Sequence, residues 1–366
     1  MHPYSDLPDQ NFWRRFVPPR PWRDLPLAQA KFRISRSDAI STAGSCFAQH
    51  ISRYLREAGI ATFRAEAAHP LAHELGGEVA SYERFPARYG NIYTARQCLE
   101  LFRQAFGMIP VIHDYAEEKG RYYDLMRPNA IPDGFGSVAE AQADRQYHLA
   151  CVRHMFMQSN VFILTLGLTE CWYHAEQGHT YPVCPGTARG KYDPQLHQFR
   201  NMTHAEVTAD LEQLITSLQT VNPALNLILT VSPVPLVATY TNQNVLVASS
   251  YSKSVLRAAA GEVEMRYNHV AYFPSYEIIS HAGSYGQYLE SDLREVTERG
   301  VQHVMTHFLE TYLMPVAATA AAASAPAPAP APAAFVHAPV LDTKAECEEI
   351  FNDLGHPQGG APAAAT

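Results

Sequence analysis

Ser45 is the residue of this chain whose setting most favours covalent chemistry. It stands in Gly44-Ser45-Cys46-Phe47-Ala48, where a short strand-like stretch, Ala39–Thr42, gives way to helical spacing. A serine at a helix N-terminus has two possible jobs. It caps the helix by accepting a backbone N–H bond, or it attacks an acyl carbonyl while its own N–H and neighbouring donors hold the oxyanion. Gly44 permits the tight turn, and Cys46 and Phe47 open a core-packed helix that would fix the hydroxyl.

Three other strand ends carry polar residues: Thr169-Glu170, Ser232, and the stretch from Ser275 to Ser284. Ligands of open parallel sheets bind beyond the carboxyl ends of the strands, so the convergence of four such ends points to one site. His281 follows the last of these strands and is a candidate base, a surface-loop histidine being the alternative. Glu170 and Trp172 read either as the polar and stacking wall of a substrate pocket or as an ion-paired glutamate and a core tryptophan. Ser232 either places a hydroxyl at the site or starts a loop. His303 and His307 are four residues apart, but no carboxylate or third histidine accompanies them in H-E-x-x-H form. His303 falls on the face opposite Val301, Val304, Met305 and Phe308 and is expected to meet solvent. Asp133-Gly134-Phe135-Gly136-Ser137 is a turn, since no Lys-Ser/Thr follows it as in a phosphate loop. The six cysteines contain no C-x-x-C pair. Neither a metal nor a cofactor is expected.

The elements that must position these residues follow from periodicity. After Ser45, apolar residues at Phe47, Ile51, Leu55 and Ala58 form a helical stripe that Gly59 stops. Ile60–Phe63 then reads as a second strand. A helix over 94–106 has Thr94 as its cap, and Ser137-x-x-Glu140 opens another. The run Val161–Gly167 is too short for a helix and too continuously apolar for a half-exposed strand, so it reads as a buried parallel strand. Thr203-x-x-Glu206 caps a helix that Asn222-Pro223 ends. Leu227–Ser232 is the next buried strand, followed by a helix over about 246–260, a strand over Val270–Phe273 and a last helix over about 297–313. Short apolar strands alternating with helices predict an α/β domain with a mainly parallel sheet covered on both faces.

The 366 residues are 47% hydrophobic with a formal net charge of −8, which suits a soluble globular protein and argues against a general nucleic-acid binder. No apolar run approaches the ~18–20 residues that span a membrane. The Pro-, Trp- and Arg-rich residues 1–34 lack an apolar signal-peptide core and read as an arm wrapping the domain, with Trp13, Phe16 and Trp22 buried. From 316 the chain turns to Ala and Pro, which predicts an extended linker leading to a short acidic helix over 342–354, a possible docking segment for a protein partner. A reduced, cytoplasmic protein is the simplest reading of the scattered cysteines.

Five ordered blocks resemble a known family. Gly44-Ser45-Cys46-Phe47-Ala48 is similar to the signature for which the GSCFA family is named. Gly90-Asn91-Ile92-Tyr93-Thr94, Thr165-Leu166-Gly167-Leu168-Thr169-Glu170 with Trp172, Thr230-Val231-Ser232-Pro233-Val234 and Tyr272-Phe273-Pro274-Ser275-Tyr276-Glu277 resemble its recurrent blocks, across about 35–315. That family is similar to the SGNH/GDSL hydrolases, which have a flavodoxin-like three-layer fold and act on esters. The resemblance implies Ser45 as nucleophile and an oxyanion hole from the Ser45 N–H, Gly90 or Asn91, and Thr169, which stands where those hydrolases place an asparagine. It also implies an Asp-x-x-His pair near the end. Asp292 matches the aspartate, but Glu295 replaces the histidine. A carboxylate with a pKa of about 4.3 is a weak base for a serine at neutral pH unless burial raises it. The implied activity is hydrolysis of an acyl ester, on a small molecule or an acylated carbohydrate. Acyl transfer at the same site, and non-catalytic ligand binding because of Glu295, are the competing readings.

Overall fold

The computed structural model describes residues 2–60, 62–68 and 80–314. The Ala/Pro segment and the helix expected over 342–354 lie outside them. Four strands form the central sheet: β1 (Ile40–Ala43), β4 (Val161–Leu166), β8 (Asn226–Val231) and β9 (Val270–Phe273). They are hydrogen-bonded in the order β1-β4-β8-β9, all parallel. The expected strand over Ile60–Phe63 is reduced to one parallel bridge, Ile40 to Thr62, with the Phe63 N–H donating to the Ile40 carbonyl. That bridge lies on the free side of β1. The path from β1 therefore steps first to one side and then, with β4, to the other, as in a flavodoxin-like sheet.

Side-chain alternation explains the uninterrupted apolar strands. Phe162, Leu164 and Leu166 of β4 enter one core, while Val161 and Ile163 enter the other. The first core is covered by α2 (Ala95–Ala105), α3 (Val138–Gln158), α4 (His204–Val221) and α5 (Val245–Arg266). The second is covered by α1 (Cys46–Glu57), α6 (Ser275–Ser280), α7 (Glu298–Tyr312) and part of the arm. This is the three-layer α/β arrangement that the sequence pattern implied.

Helix ends follow the caps. The Thr94 side chain accepts from the Gln97 N–H, and Thr203 with Glu206 makes a full reciprocal capping box. At α3 the box is open. Ser137 accepts from the Glu140 N–H, but the Glu140 carboxylate turns back to the Gly136 N–H. Thr203→Ala removes the acceptor that the Glu206 N–H uses, and should lower stability by about 1 kcal/mol, read as a fall in the urea midpoint at constant slope. The helix expected over 246–260 runs on to Arg266, because Ala259, Ala260 and Val263 continue the buried stripe of α5.

Periodicity did not reveal two antiparallel additions. One is a hairpin, β2 (Tyr115–Glu118) with β3 (Arg121–Asp124). The other is a three-stranded sheet in the order β6-β5-β7, from β5 (Glu170–His174), β6 (Thr180–Tyr181) and β7 (His197–Asn201). In the arm, Leu25 and Ile34 are buried and the Trp22 Nε1–H donates to the Ile278 carbonyl. Trp13 was expected to be buried but is 63% exposed. Its ring meets that of His281, with centroids 5.6 Å apart.

Candidate functional site

Ser45 is the N-cap residue of α1, in an extended conformation, yet its side chain makes no capping hydrogen bond. The turn is too tight for any other residue at Gly44. Its φ is +149°, and a Cβ there would lie 2.6 Å from the Thr165 Cβ and 2.8 Å from the Thr165 carbonyl oxygen. Gly44→Ala must therefore push β1 off β4 as well as strain the backbone. The expected loss is about 3 kcal/mol or more, seen as a large drop in thermal midpoint.

The segment 90–94 lies over this turn. The Ile92 N–H donates to the Gly44 carbonyl at 2.8 Å, and the Tyr89 hydroxyl to the Thr42 carbonyl. The Asn91 side chain is held between Gln49, whose Nε2 donates to Asn91 Oδ1, and the Tyr93 hydroxyl, which accepts from Asn91 Nδ2. Gly90 takes a positive φ of 71° with open space where a Cβ would be. Beneath the segment lies a buried chain of charges: His148 to Glu66, Glu66 to Arg88, Arg88 to Asp144, Asp144 to Arg127, Arg127 to Asp124. Arg145 joins it at Asp124, 3.8 Å away, and donates also to Gln104 Oε1. Burial would raise the pKa of Glu66, but the hydrogen bond from His148 and the Arg88 guanidinium outweigh it and bring it down to about 2. Burial, reinforced by the charge of Arg127, takes His148 down to about 4, so the imidazole is neutral at pH 7.

The strand end beside Ser45 is the turn Gly167-Leu168-Thr169. Both the Gly167 and Leu168 N–H groups donate to the Tyr93 carbonyl. β1 pairs Ala43 with Leu164, and Gly44 lies against Thr165, so Ser45 comes level with Leu166. Thr169 was expected to aim its hydroxyl at an oxyanion. It is fully buried and donates instead to Asn201 Oδ1 at 2.7 Å, while its N–H donates to Ser252. That contact fixes the Asn201 amide and leaves its Nδ2 for another acceptor. Ser232 is buried beside Leu166, its N–H donating to that carbonyl and its hydroxyl accepting from the Val234 N–H, so it shapes the loop. Glu170 pairs with no arginine among the described residues. Its carboxylate accepts from the Thr239 hydroxyl and the Tyr240 N–H, which brings Tyr240 against Trp172. Phe199 and Tyr192 complete that aromatic group, and Tyr240 is 63% exposed.

A residue that periodicity passed over lies at the same edge. Lys253 of α5 is buried, makes no ion pair with any described carboxylate, and donates from Nζ to the Gly167 carbonyl at 2.6 Å. Burial, and then the charge of Arg294, bring its pKa down to about 7. A lone lysine within the apolar stripe of α5 was the available signal.

The GSCFA family profile matches residues 39–308, almost the whole of this α/β unit. The chain belongs to the GSCFA family. No curated protein matches it. The match runs from the start of β1 through most of α7, so the switch point between β1 and β4 falls within it.

In this GSCFA protein the stretch 292–295, expected to stand at the Asp-x-x-His position, is the tip of a solvent-facing loop closed by a bridge between Leu289 and Val296. Asp292 is exposed, and its Oδ1 accepts the N–H groups of Arg294 and Glu295. Slight burial works the other way, but those bonds and the charge of Arg294 hold its carboxyl below the ordinary aspartate range. Its oxygen is thus occupied with its own turn. Leu293 takes a left-handed φ of 56°, a conformation costly for a branched side chain. From this loop Arg294 reaches inward. Its charge bears on both Lys253 and Tyr93, and its Nε is buried without a hydrogen-bond partner. Glu295 gives the loop its carbonyl, which accepts from the Glu290 N–H.

The candidate base His281 is elsewhere engaged. Its ring stacks on Trp22 with centroids 5.1 Å apart and planes 7° apart, and its Nδ1 accepts from the Gly283 N–H. A β-strand edge read from sequence could not anticipate that the arm covers this histidine. His303, expected in solvent, is half-buried, stacked on Tyr288 and in edge contact with His307. Burial first, and then the charges of His307 and Arg299, take its pKa to about 4. Among the described residues, no three His, Cys, Asp or Glu side chains are grouped so as to hold a metal ion, and no helix is long and apolar enough to cross a membrane.

Proposed function

We propose that this GSCFA protein is an SGNH-like enzyme that cleaves or transfers an acyl ester through Ser45. The observation that carries the reading is a serine at the first crossover of the sheet, at a helix N-terminus, whose hydroxyl caps nothing. A cap residue gives its oxygen to the N–H groups of the first turn. This one keeps its side-chain oxygen out of the first turn, whose Ala48 N–H goes to the Ser45 carbonyl instead, at the switch point where open α/β sheets take their ligands. Ser45 attacks the acyl carbonyl. The oxyanion is received by the Ser45 N–H together with donors from Gly90 and Asn91, with the Asn201 amide in the place first given to Thr169. The group of half-buried Trp172 and Phe199 with exposed Tyr240, held by Glu170, offers a stacking wall that suits the sugar of an acylated carbohydrate. The free, mostly buried thiols of Cys98, Cys151, Cys171 and Cys184 fit a reducing cytoplasm.

The test is labelling of the intact protein with a fluorophosphonate, followed by mapping of the adduct. A single adduct on Ser45 supports the reading, and its absence at every pH tested removes it. The placement of Asp292 on an exposed loop favours a second reading, non-catalytic binding of a glycan or acylated ligand. Stabilisation by such a ligand with no Ser45 adduct would select that reading.

A further inference from the structure

The connection from β8 to α5 stands at the edge of the sheet that carries Ser45. β1, β4 and β8 are parallel, so a helix that directly follows one of these strands starts beyond the same edge. α1 starts there after Ser45, and α5 starts there at Val245.

No Asp, Glu, Lys, Arg or His occurs between Glu212 and Lys253, in a chain of which 17% is charged. The first part of this run ends α4 and forms β8, and the core accounts for it. The part over 233–251 is largely at the surface. There Val237 is 43% exposed, Tyr240 63%, Val245 39%, Leu246 71%, Val247 53% and Tyr251 40%. A helix that starts at a surface ordinarily draws acidic or other polar residues to its first turn. α5 opens on Val245-Leu246-Val247 and has no acidic residue there. Val247 and Tyr251 are one turn apart on the same side of the helix.

These side chains project from a firm support. Leu236, beside Val237, is buried, and its N–H donates to the Ser249 hydroxyl. Asn244 Oδ1 accepts from the Leu246 N–H. The Glu170 carboxylate holds Thr239 and Tyr240, and the Ser252 hydroxyl accepts from the Thr169 N–H. Loop and helix start are thus tied to each other and to the strand ends at the candidate site.

Composition and charge say what such a lip meets. A partner protein would fix its register through arginines and rim charges, and this segment has none. Aliphatic side chains flanked by tyrosines, with neutral amides and hydroxyls at 241–244, match a lipid–water boundary. There the aliphatic groups enter the acyl region and the tyrosines lie at headgroup level. The net charge of −8 opposes an anionic surface and leaves a neutral or zwitterionic one.

We infer that this lip seats the protein on a neutral lipid surface, with the Ser45 edge of the sheet turned toward the lipid. The consequence for chemistry rests on the serine reading above: the ester that reaches Ser45 is one carried in that surface. Tyr240 belongs to both the lip and the aromatic wall, so the sugar assigned to that wall is then the headgroup of the same lipid.

The test is flotation of the full chain with phosphatidylcholine vesicles, at low and high salt, with and without phosphatidylglycerol. The parent should float with pure phosphatidylcholine at either salt, since no ion pair is involved, and phosphatidylglycerol should weaken the association. Leu246→Asp and Val247→Asp change exposed side chains and should keep the parental thermal midpoint. Each should lower partition into the vesicles by roughly 10-fold or more. Met265→Asp, at the far end of α5 and 81% exposed in the parent, should float as the parent does. A parent that stays out of the vesicle fraction overturns the inference. So does undiminished flotation of Leu246→Asp, or an equal loss in Met265→Asp. Binding that requires phosphatidylglycerol and falls with salt overturns it in favour of a charged contact. A parental dimer that Leu246→Asp splits, without flotation, overturns it by giving the lip to a second copy of this chain. Fluorophosphonate labelling without vesicles keeps the two readings apart. Leu246→Asp should label at Ser45 as fast as the parent, whereas no adduct in any sample removes the serine reading and leaves the lip to be judged by flotation.

Discussion

Ser45→Ala will lose at least roughly 1,000-fold in turnover of short acyl esters while its thermal midpoint stays within a degree or two of the parent. The two halves of this result have one cause. The hydroxyl makes no hydrogen bond to any described residue and caps no N–H of α1, so removing it leaves no buried group unsatisfied. A cap serine of ordinary kind would cost about 1 kcal/mol on the same change. Its oxygen nevertheless forms the covalent bond of the proposed reaction, so no nucleophile remains. Steady-state kinetics on a chromogenic acetate and a calorimetric melt decide the matter. A clear fall in midpoint with unchanged turnover would identify Ser45 as a structural cap.

The largest expected change in stability lies at Glu66. Its carboxylate is 0% exposed and meets Arg88 Nε at 2.8 Å, the Arg88 backbone N–H at 2.7 Å and His148 Nδ1 at 2.7 Å. Glu66, Asp144 and Asp124 offset Arg88, Arg127 and Arg145 in one buried set. Glu66→Ala leaves one cation in excess where water cannot reach it, for a loss of about 3–5 kcal/mol. The pH dependence has a definite sign. The folded pKa of about 2 lies below the ordinary glutamate value of 4.5, so this carboxylate stabilises the fold above pH 4.5 and ceases to do so as pH falls toward 2. The shift corresponds to about 3 kcal/mol. Chemical denaturation between pH 2 and 6 should therefore show an acid-labile component in the parent that is absent in Glu66→Ala. The same variant should loosen the segment 85–94 above the charges, and slower Ser45 labelling would report it.

Local elements were legible because their causes are local. The caps at Thr94 and Thr203, the stop at Gly59 and the apolar runs read at 161–167 and 227–232, which form strands over 161–166 and 226–231, all follow from backbone hydrogen bonding and side-chain period. The antiparallel strands around Trp172 were not legible. They are two to five residues long and partly exposed, and they pair with each other across intervening loops. The capping box at Ser137 was half right, since Glu140 found a nearer N–H at Gly136.

The sequence by itself determined the parallel α/β architecture, the tight turn at Gly44 and the presence of a serine at the first crossover. Each depends on neighbours within a few residues, where periodicity and conformational freedom act. Only the tertiary structure decided which polar groups face that serine. It gave the Thr169 hydroxyl to Asn201, set His281 under Trp22, left Asp292 on an exposed turn and brought Lys253 to the Gly167 carbonyl. Those outcomes are settled by which segment covers a side chain, and by whether a charge finds a partner before it is buried. Both depend on contacts between segments far apart in the chain.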